Sequence, residues 1–467
     1  GAVLDALPEL PEMLPIHVPG QTVVAHTLTE WQPEDPTFWA DKGRAIARRN
    51  LWISIPALLL AFSVWMVWSV VVARLPAIGF DFKPAQLFRL AALPGLSGAS
   101  LLLPALGIGY AVQNPETPYF IFLVLALLCG FGGGNFASSM ANIAFFFPKA
   151  EKGNALALNA GLGNLGVSVM QFLVPIVITA GVFGALGGEP QTMSTGGQLW
   201  MQNAGFIWVP FIIAATVAAW WGMNDIADAK ASFRDQAIIF SRKHNWLMCI
   251  LYTGTFGSFI GYSAGFPLLT KLMFPEVNAL QYVFLGPLVG ALSRAGTGWI
   301  SDRFGGGRVT FWTFVGMIVA VFGVITFLPS GGGGSFMGFF ASFMALFLLT
   351  GIGNASTFQM IPAIMGREIP RLMPELDAAA TRKQAERESA AIIAFTSAIA
   401  AYGAFFIPKA YGTSIAMTGG PVLALWAFLA FYAICVAITW VYYTKPGGLL
   451  YDIERGKSAR AATPSAV

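Results

Sequence analysis

Long apolar runs alternate with short polar segments along the whole chain. They fall at about 51–74, 87–112, 118–147, 154–184, 205–223, 246–270, 278–301, 309–329, 336–365, 390–413 and 421–443. A helix rising about 1.5 Å per residue needs about 20 residues to cross a hydrocarbon core about 30 Å thick. Most of these runs reach that length. The pattern therefore predicts an all-α polytopic membrane protein with one helix per run. Pro and Gly mark the turns at Lys83-Pro84, Asn114-Pro115, Gly187-Gly188 and Gly331 to Gly334.

Composition agrees. Only 11% of the 467 residues are charged and 56% are hydrophobic, against roughly 25% charged in a soluble domain. A surface this poor in charge must face lipid. Residues 1–45 differ, being rich in Pro and acid, with Asp5, Glu9, Glu12, Glu30, Glu34 and Asp35. Without a basic start and an apolar core, this stretch is no secretory signal peptide. It reads as a cytoplasmic tail, or as a linker from a transporter fused upstream. The net charge of +4 implies no nucleic-acid partner, because the basic residues sit in short loops beside the spans.

Those loops predict topology by the positive-inside rule. Arg44, Arg48 and Arg49 precede the first run, and Lys149 and Lys152 follow the third. Later basic loops carry Lys230, Arg234, Arg242 and Lys243, then Arg303 and Arg308, then Arg367, Arg371, Arg382, Lys383 and Arg387. The tail carries Lys445, Arg455, Lys457 and Arg460. From Lys152 onward every second loop is basic, which puts both termini in the cytoplasm. The expected organisation is a tail at 1–45, a transmembrane half at 46–223, a cytoplasmic loop at 224–245, a second half at 246–443 and a tail at 444–467. Before Lys152 the parity fails, since three runs separate two basic flanks. Either the run at 87–112 is re-entrant or a span is missing.

A weak internal repeat pairs Gly133-Gly134-Asn135 with Gly351-Ile352-Gly353-Asn354. Two six-helix repeats with substrate held between them near the midplane would produce it. So would glycines that merely let helices pack closely.

An ionisable residue inside a span is a candidate for function. No Asp, Glu or His lies within any run. Arg294 sits about two turns before Ser301, while Arg89, Lys271 and Lys409 lie nearer run ends and can snorkel. A buried guanidinium without a carboxylate suits a planar oxyanion; snorkelling is the alternative for Arg294. Tyr252 and Phe256 are four apart and share a helix face, as anion ligand and wall or as packing. Asn159 to Gly166 offers amides and exposed backbone, or close packing alone; it is no nucleotide loop, lacking a preceding strand. Cys129, Cys249 and Cys435 fall in apolar runs and imply neither disulfide nor metal. His17, His26 and His244 lie in a tail or loop. No metal, cofactor or catalytic constellation is expected, so the chain is not read as an enzyme.

Several segments together resemble the nitrate/nitrite porter family of the major facilitator superfamily. Ser301 to Arg308 resembles the superfamily's loop after the second helix of each half. Ala160-Gly-Leu-Gly-Asn-Leu-Gly-Val-Ser-Val-Met-Gln171 and Ala400-Ala-Tyr-Gly-Ala-Phe-Phe-Ile-Pro-Lys-Ala-Tyr-Gly412 resemble its two nitrate signatures, with Gly161, Gly163, Gly166 and Gly403 as their glycines. Gly133 to Asn142 also fits, and the match runs from about Trp31 to the last span. The resemblance implies two six-helix halves in a bacterial inner membrane, with nitrate and nitrite as partners besides lipid. It implies that Arg294 binds substrate, that Tyr252 and Asn164 line the anion site, and that Phe136 and Phe256 sandwich the planar anion.

The chain departs from the family between the first span and Pro118. Leu93-Pro-Gly-Leu-Ser-Gly-Ala99 resembles the start of the family's second helix, and Pro104 to Gln113 the end of its third. The resemblance implies that the segment between them is absent, and with it the first half's substrate arginine. An empty census of titratable groups favours nitrate/nitrite antiport; proton-coupled nitrate symport is the alternative, and an inactive or sensor protein is the third reading.

Overall fold

The computed structural model describes residues 27–92, 101–226, 236–329 and 334–462. Lys230, Arg234, residues 1–26, the stretch Leu93 to Ala99 and Gly331 to Gly333 lie outside them. Among the described residues, nine helical stretches are long and apolar enough to cross a membrane.

The first half opens with α1 (Arg44–Met66), continued by α2 (Trp68–Arg74). Two short helices follow, α3 (Pro84–Ala92) and α4 (Leu102–Ala111). The next span is α5 (Tyr119–Cys129) running into α6 (Phe131–Phe146), then come α7 (Lys149–Val177) and α8 (Val209–Gly222). The second half holds α9 (Lys243–Tyr252), a π-helical turn (Thr253–Gly257) and α10 (Ser258–Met273) as one span. It continues with α11 (Leu285–Gly296), α12 (Gly298–Phe304), α13 (Gly306–Phe327) and α14 (Phe336–Leu372). It closes with α15 (Ala378–Ala401), α16 (Gly403–Thr418) and α17 (Val422–Thr439), and a last helix, α18 (Tyr451–Ala462), follows.

Several helices outrun the apolar runs, and side-chain caps start two of those in the second half. Asp377 accepts from the Ala380 amide at 2.7 Å ahead of α15, and Ser335 accepts from Gly338 ahead of α14. Each such cap satisfies an otherwise orphaned amide. The extension brings Glu388 into the second half at 1% exposure. Arg242 grips it with two bonds of 2.7 Å, and Gln384 adds a third. The apolar run at 278–301 is not one helix: a 3-10 turn precedes α11, and Thr297 separates α11 from α12.

The N-terminal flank and the central loop meet at one end of the bundle. Thr27–Leu28 pairs in parallel with Asp225–Ile226, and Arg49 donates to the Asn224 side chain at 2.6 Å. The chain between them therefore crosses an even number of times. At about 1.5 Å per residue, the described residues of α3 and α4 each make roughly 14–15 Å of helix, half a span. The Tyr119 hydroxyl at the start of α5 donates to the Gln86 carbonyl near the start of α3. The outer ends of both half-length helices thus lie at the end away from the basic loops.

Glu454 of α18 locks the loop between α12 and α13. Its carboxylate accepts from the Gly307 amide at 2.6 Å and the Arg308 amide at 3.2 Å, where a carboxylate complements a helix N-terminus. Gly305 turns the chain there at φ +96°, a conformation disfavoured for residues with a Cβ.

Candidate anion site

A cavity of about 960 Å³ lies between α6 and α7 of the first half and α14 and α15 of the second. Lys152, Arg382 and Glu386 line it toward the basic loops, and Ala137 and Met140 line it on α6. At the other end the halves are closed. Gln171 donates to the Ser69 hydroxyl at 3.1 Å and the Ser263 carbonyl at 2.8 Å. Ser168 donates to the Phe284 carbonyl at 2.9 Å, and Lys271 donates to the Ala73 carbonyl.

Arg294 sits between these two zones on α11 and is 5% exposed. Its guanidinium donates to the Tyr252 hydroxyl at 3.2 Å. Asn164, on α7 of the first half, turns its amide nitrogen to the Ala160 carbonyl and its oxygen to Arg294, both at 3.3 Å; the neighbours fix that orientation. The guanidinium carbon lies 5.5 Å from the Phe136 ring centre, 5.7 Å from Phe256 and 5.1 Å from Phe358. One cation thus touches four spans and both halves.

Three ring faces and two neutral hydrogen-bond acceptors surround that cation, but none of them carries a negative charge. No ion pair among the described residues involves Arg294. The site can therefore accept a small anion and gain from neutralisation, with two neutral hydrogen-bonding side chains already facing the charge.

Local backbone chemistry shapes the wall. The π-helical turn at Thr253–Gly257 places Tyr252 and Phe256 in a stack with centres 5.3 Å apart and planes at 11°. Such turns insert one residue into a helix and re-aim the side chains beside it. Phe358 stacks on Tyr252 at 4.5 Å. Sequence reasoning missed Phe358, which stands one helical turn after Asn354 and is brought to Tyr252 by the fold.

Phe136 and Phe256 do meet, but their rings stack directly at 5.1 Å and 18°. An anion between them needs about 7 Å, twice an aromatic contact distance. The rings must part before they can sandwich anything.

The signature glycines act as packing positions. A Cβ on Gly166 would lie 2.0 Å from the Leu59 carbonyl oxygen, and one on Gly403 2.2 Å from that of Gly257. A Cβ on Gly163 would lie 2.6 Å from the Leu58 side chain, and one on Gly161 3.0 Å from the Ala295 Cβ. They seat α7 against α1 and α11, and so set where Asn164 stands. The repeat glycines serve the same end: Gly133 abuts Trp65 of α1, and Gly353 abuts Thr255 of the π-helical turn. The fourth span of each half thus packs on the first span of that half.

Two halves closed at one end around a buried cation define a membrane transporter of the alternating-access type. The model of the Major Facilitator Superfamily matches residues 95–381. Among solved structures, a D-xylose-proton symporter aligns with TM-score 0.55 over 83% of this chain and 97% of its own, at 14% identity. A human organic anion transporter, MFSD10, aligns with TM-score 0.51 over 84% and 99%, also at 14%. These two likenesses concern the fold. The nitrate/nitrite transporter NarU of Salmonella typhimurium is 50% identical over 450 residues, covering 90% of this chain and 96% of that protein. The probable nitrate/nitrite antiporter NarK2 of Thermus thermophilus is 38% identical, covering 90% and 97%. The chain belongs to the nitrate/nitrite porter family of the major facilitator superfamily. The match to NarU spans 450 positions yet takes in only 90% of 467 residues, so that relative carries positions without a counterpart here.

Proposed function

We propose that this chain exchanges nitrate for nitrite across a bacterial inner membrane, with its basic loops and both termini in the cytoplasm. The carrying observation is the Arg294 guanidinium, buried between the halves and hydrogen-bonded to the neutral Tyr252 and Asn164, with no ion pair among the described residues. The names of the relatives supply the substrates. A planar oxyanion can take two N–H bonds from one edge of the guanidinium. Phe136 and Phe256 then close on its faces from opposite halves.

Alternating access follows from where the ligands sit. Asn164 and Phe136 belong to the first half, and Arg294, Tyr252 and Phe256 to the second. A bound anion draws the two sets together and permits the cavity to close. One-for-one exchange moves no net charge. Net anion entry against a 100 mV negative interior would cost about 2.3 kcal/mol.

The half-length α3 and α4 favour a second reading, a protein that binds the anion without carrying it. We infer that the positions lacking a counterpart fall between these helices. A first half with so short a wall can leave the cavity unsealed. Nitrite-loaded vesicles bearing the protein distinguish the two: exchange for external nitrate supports transport, and binding without flux supports the second reading.

A further inference from the structure

We propose that a groove between α3 and α16, at the end away from the basic loops, binds the phosphate headgroup of an anionic phospholipid. The groove measures about 210 Å³, and Arg89 of the first half and Lys409 of the second both line it. Its other lining residues are Ala85, Phe88, Gly412, Thr413, Ala416 and Met417, with no carboxylate among them. Neither cation forms an ion pair among the described residues. Gly412 lets the two helices touch: a Cβ there would lie 2.8 Å from the Phe88 Cβ.

The surroundings identify the surface as lipid-facing. Helix α16 ends a candidate membrane span, Ala378–Thr418. Phe406, one turn before Lys409, is 61% exposed, and Met417 is 70% exposed. Two unpaired cations on such a surface are costly unless they reach water or an anion. Lys409 lies about 14 Å along the helix from Thr418, and Arg89 about 8 Å along α3 from Pro84. The lysine stem shortens its distance to the interface by snorkelling. The headgroup zone extends about 5–8 Å beyond the hydrocarbon on each side. Both charges therefore converge on the depth of a phosphodiester, with Thr413 as an added hydroxyl donor and the apolar flank left for acyl chains.

Because one ligand from each half contributes, the lipid would bridge the halves at their closed end and favour the state open toward the basic loops. The inference stands on the membrane fold and not on the identity of the transported anion.

The test is the unfolding midpoint of the full chain in neutral detergent, with added phosphatidylglycerol, phosphatidylcholine or inorganic phosphate. Phosphatidylglycerol is expected to raise the midpoint; the other two are not. The double variant Arg89→Gln/Lys409→Gln should lose most of that rise, and Arg89→Lys/Lys409→Arg should keep it. An equal rise in the Gln variant, or a loss in both variants, overturns the proposal. A matching rise with inorganic phosphate also overturns it, assigning the groove to a free anion.

Discussion

The Arg294 guanidinium and the Asn164 amide meet at 3.3 Å across the boundary between the two halves. That bond joins α11 to α7 through a guanidinium that also lies over three aromatic rings. It ties the state of the anion site to the relative position of the halves, since an incoming anion must share or replace it.

Arg294→Lys is expected to keep the protein folded and in the membrane yet to weaken nitrate exchange severely. A lysine keeps the charge but loses the planar fork and its stacking on three rings. Rates of exchange in reconstituted vesicles check this, and a wild-type rate would refute the role.

Tyr252→Phe removes the hydroxyl that receives the guanidinium at 3.2 Å and keeps the stack on Phe256 and Phe358. A hydrogen bond from a charged group contributes about 1.5–3 kcal/mol, which corresponds to roughly tenfold to a hundredfold in binding. Half-saturation for nitrate should rise by that order. An unchanged value would mean that the hydroxyl serves Arg294 alone and never the anion.

Arg242→Met leaves Glu388 buried at 1% exposure without its bidentate partner. Breaking such a pair on one side destabilises by about 3–5 kcal/mol, whereas replacing both members can be nearly neutral. The single variant should show a clearly lowered unfolding midpoint, and Arg242→Met/Glu388→Leu should recover most of it. Equal midpoints for the single and double variants would place the stabilisation elsewhere.

Gly166→Ala and Gly403→Ala each push a methyl into a backbone carbonyl that cannot withdraw. Overpacking of this kind costs about 1–3 kcal/mol, and here it also separates helices that carry the site. Both variants should lose transport, while Gly153→Ala, with nothing within 4 Å, should retain it. Transport assays on matched amounts of membrane protein decide the matter.

Much of this was legible in the apolar runs, because spans must satisfy their backbone internally and so repeat at a fixed length. Arg294, Tyr252 and Phe256 could be singled out by charge and by helical spacing. Phe136 came from the resemblance alone, since an aromatic inside a span looks like packing; Asn164 stood out only as one amide of the segment from Asn159 to Gly166, and the resemblance gave it a role. Phe358 escaped because its partner Tyr252 lies 106 positions earlier in the sequence and only the fold brings their rings to 4.5 Å. Glu388 and His244 escaped a census confined to apolar runs. The helices extend past the apolar runs and bury both, and His244 lies 2.9 Å from the Tyr443 hydroxyl.

The most direct measurement is counterflow in vesicles loaded with nitrite and supplied with labelled nitrate outside. The account predicts nitrate entry that depends on internal nitrite, is indifferent to a pH gradient and falls sharply in Arg294→Lys. Entry that ignores internal nitrite and rises several-fold with an inward proton gradient would contradict it.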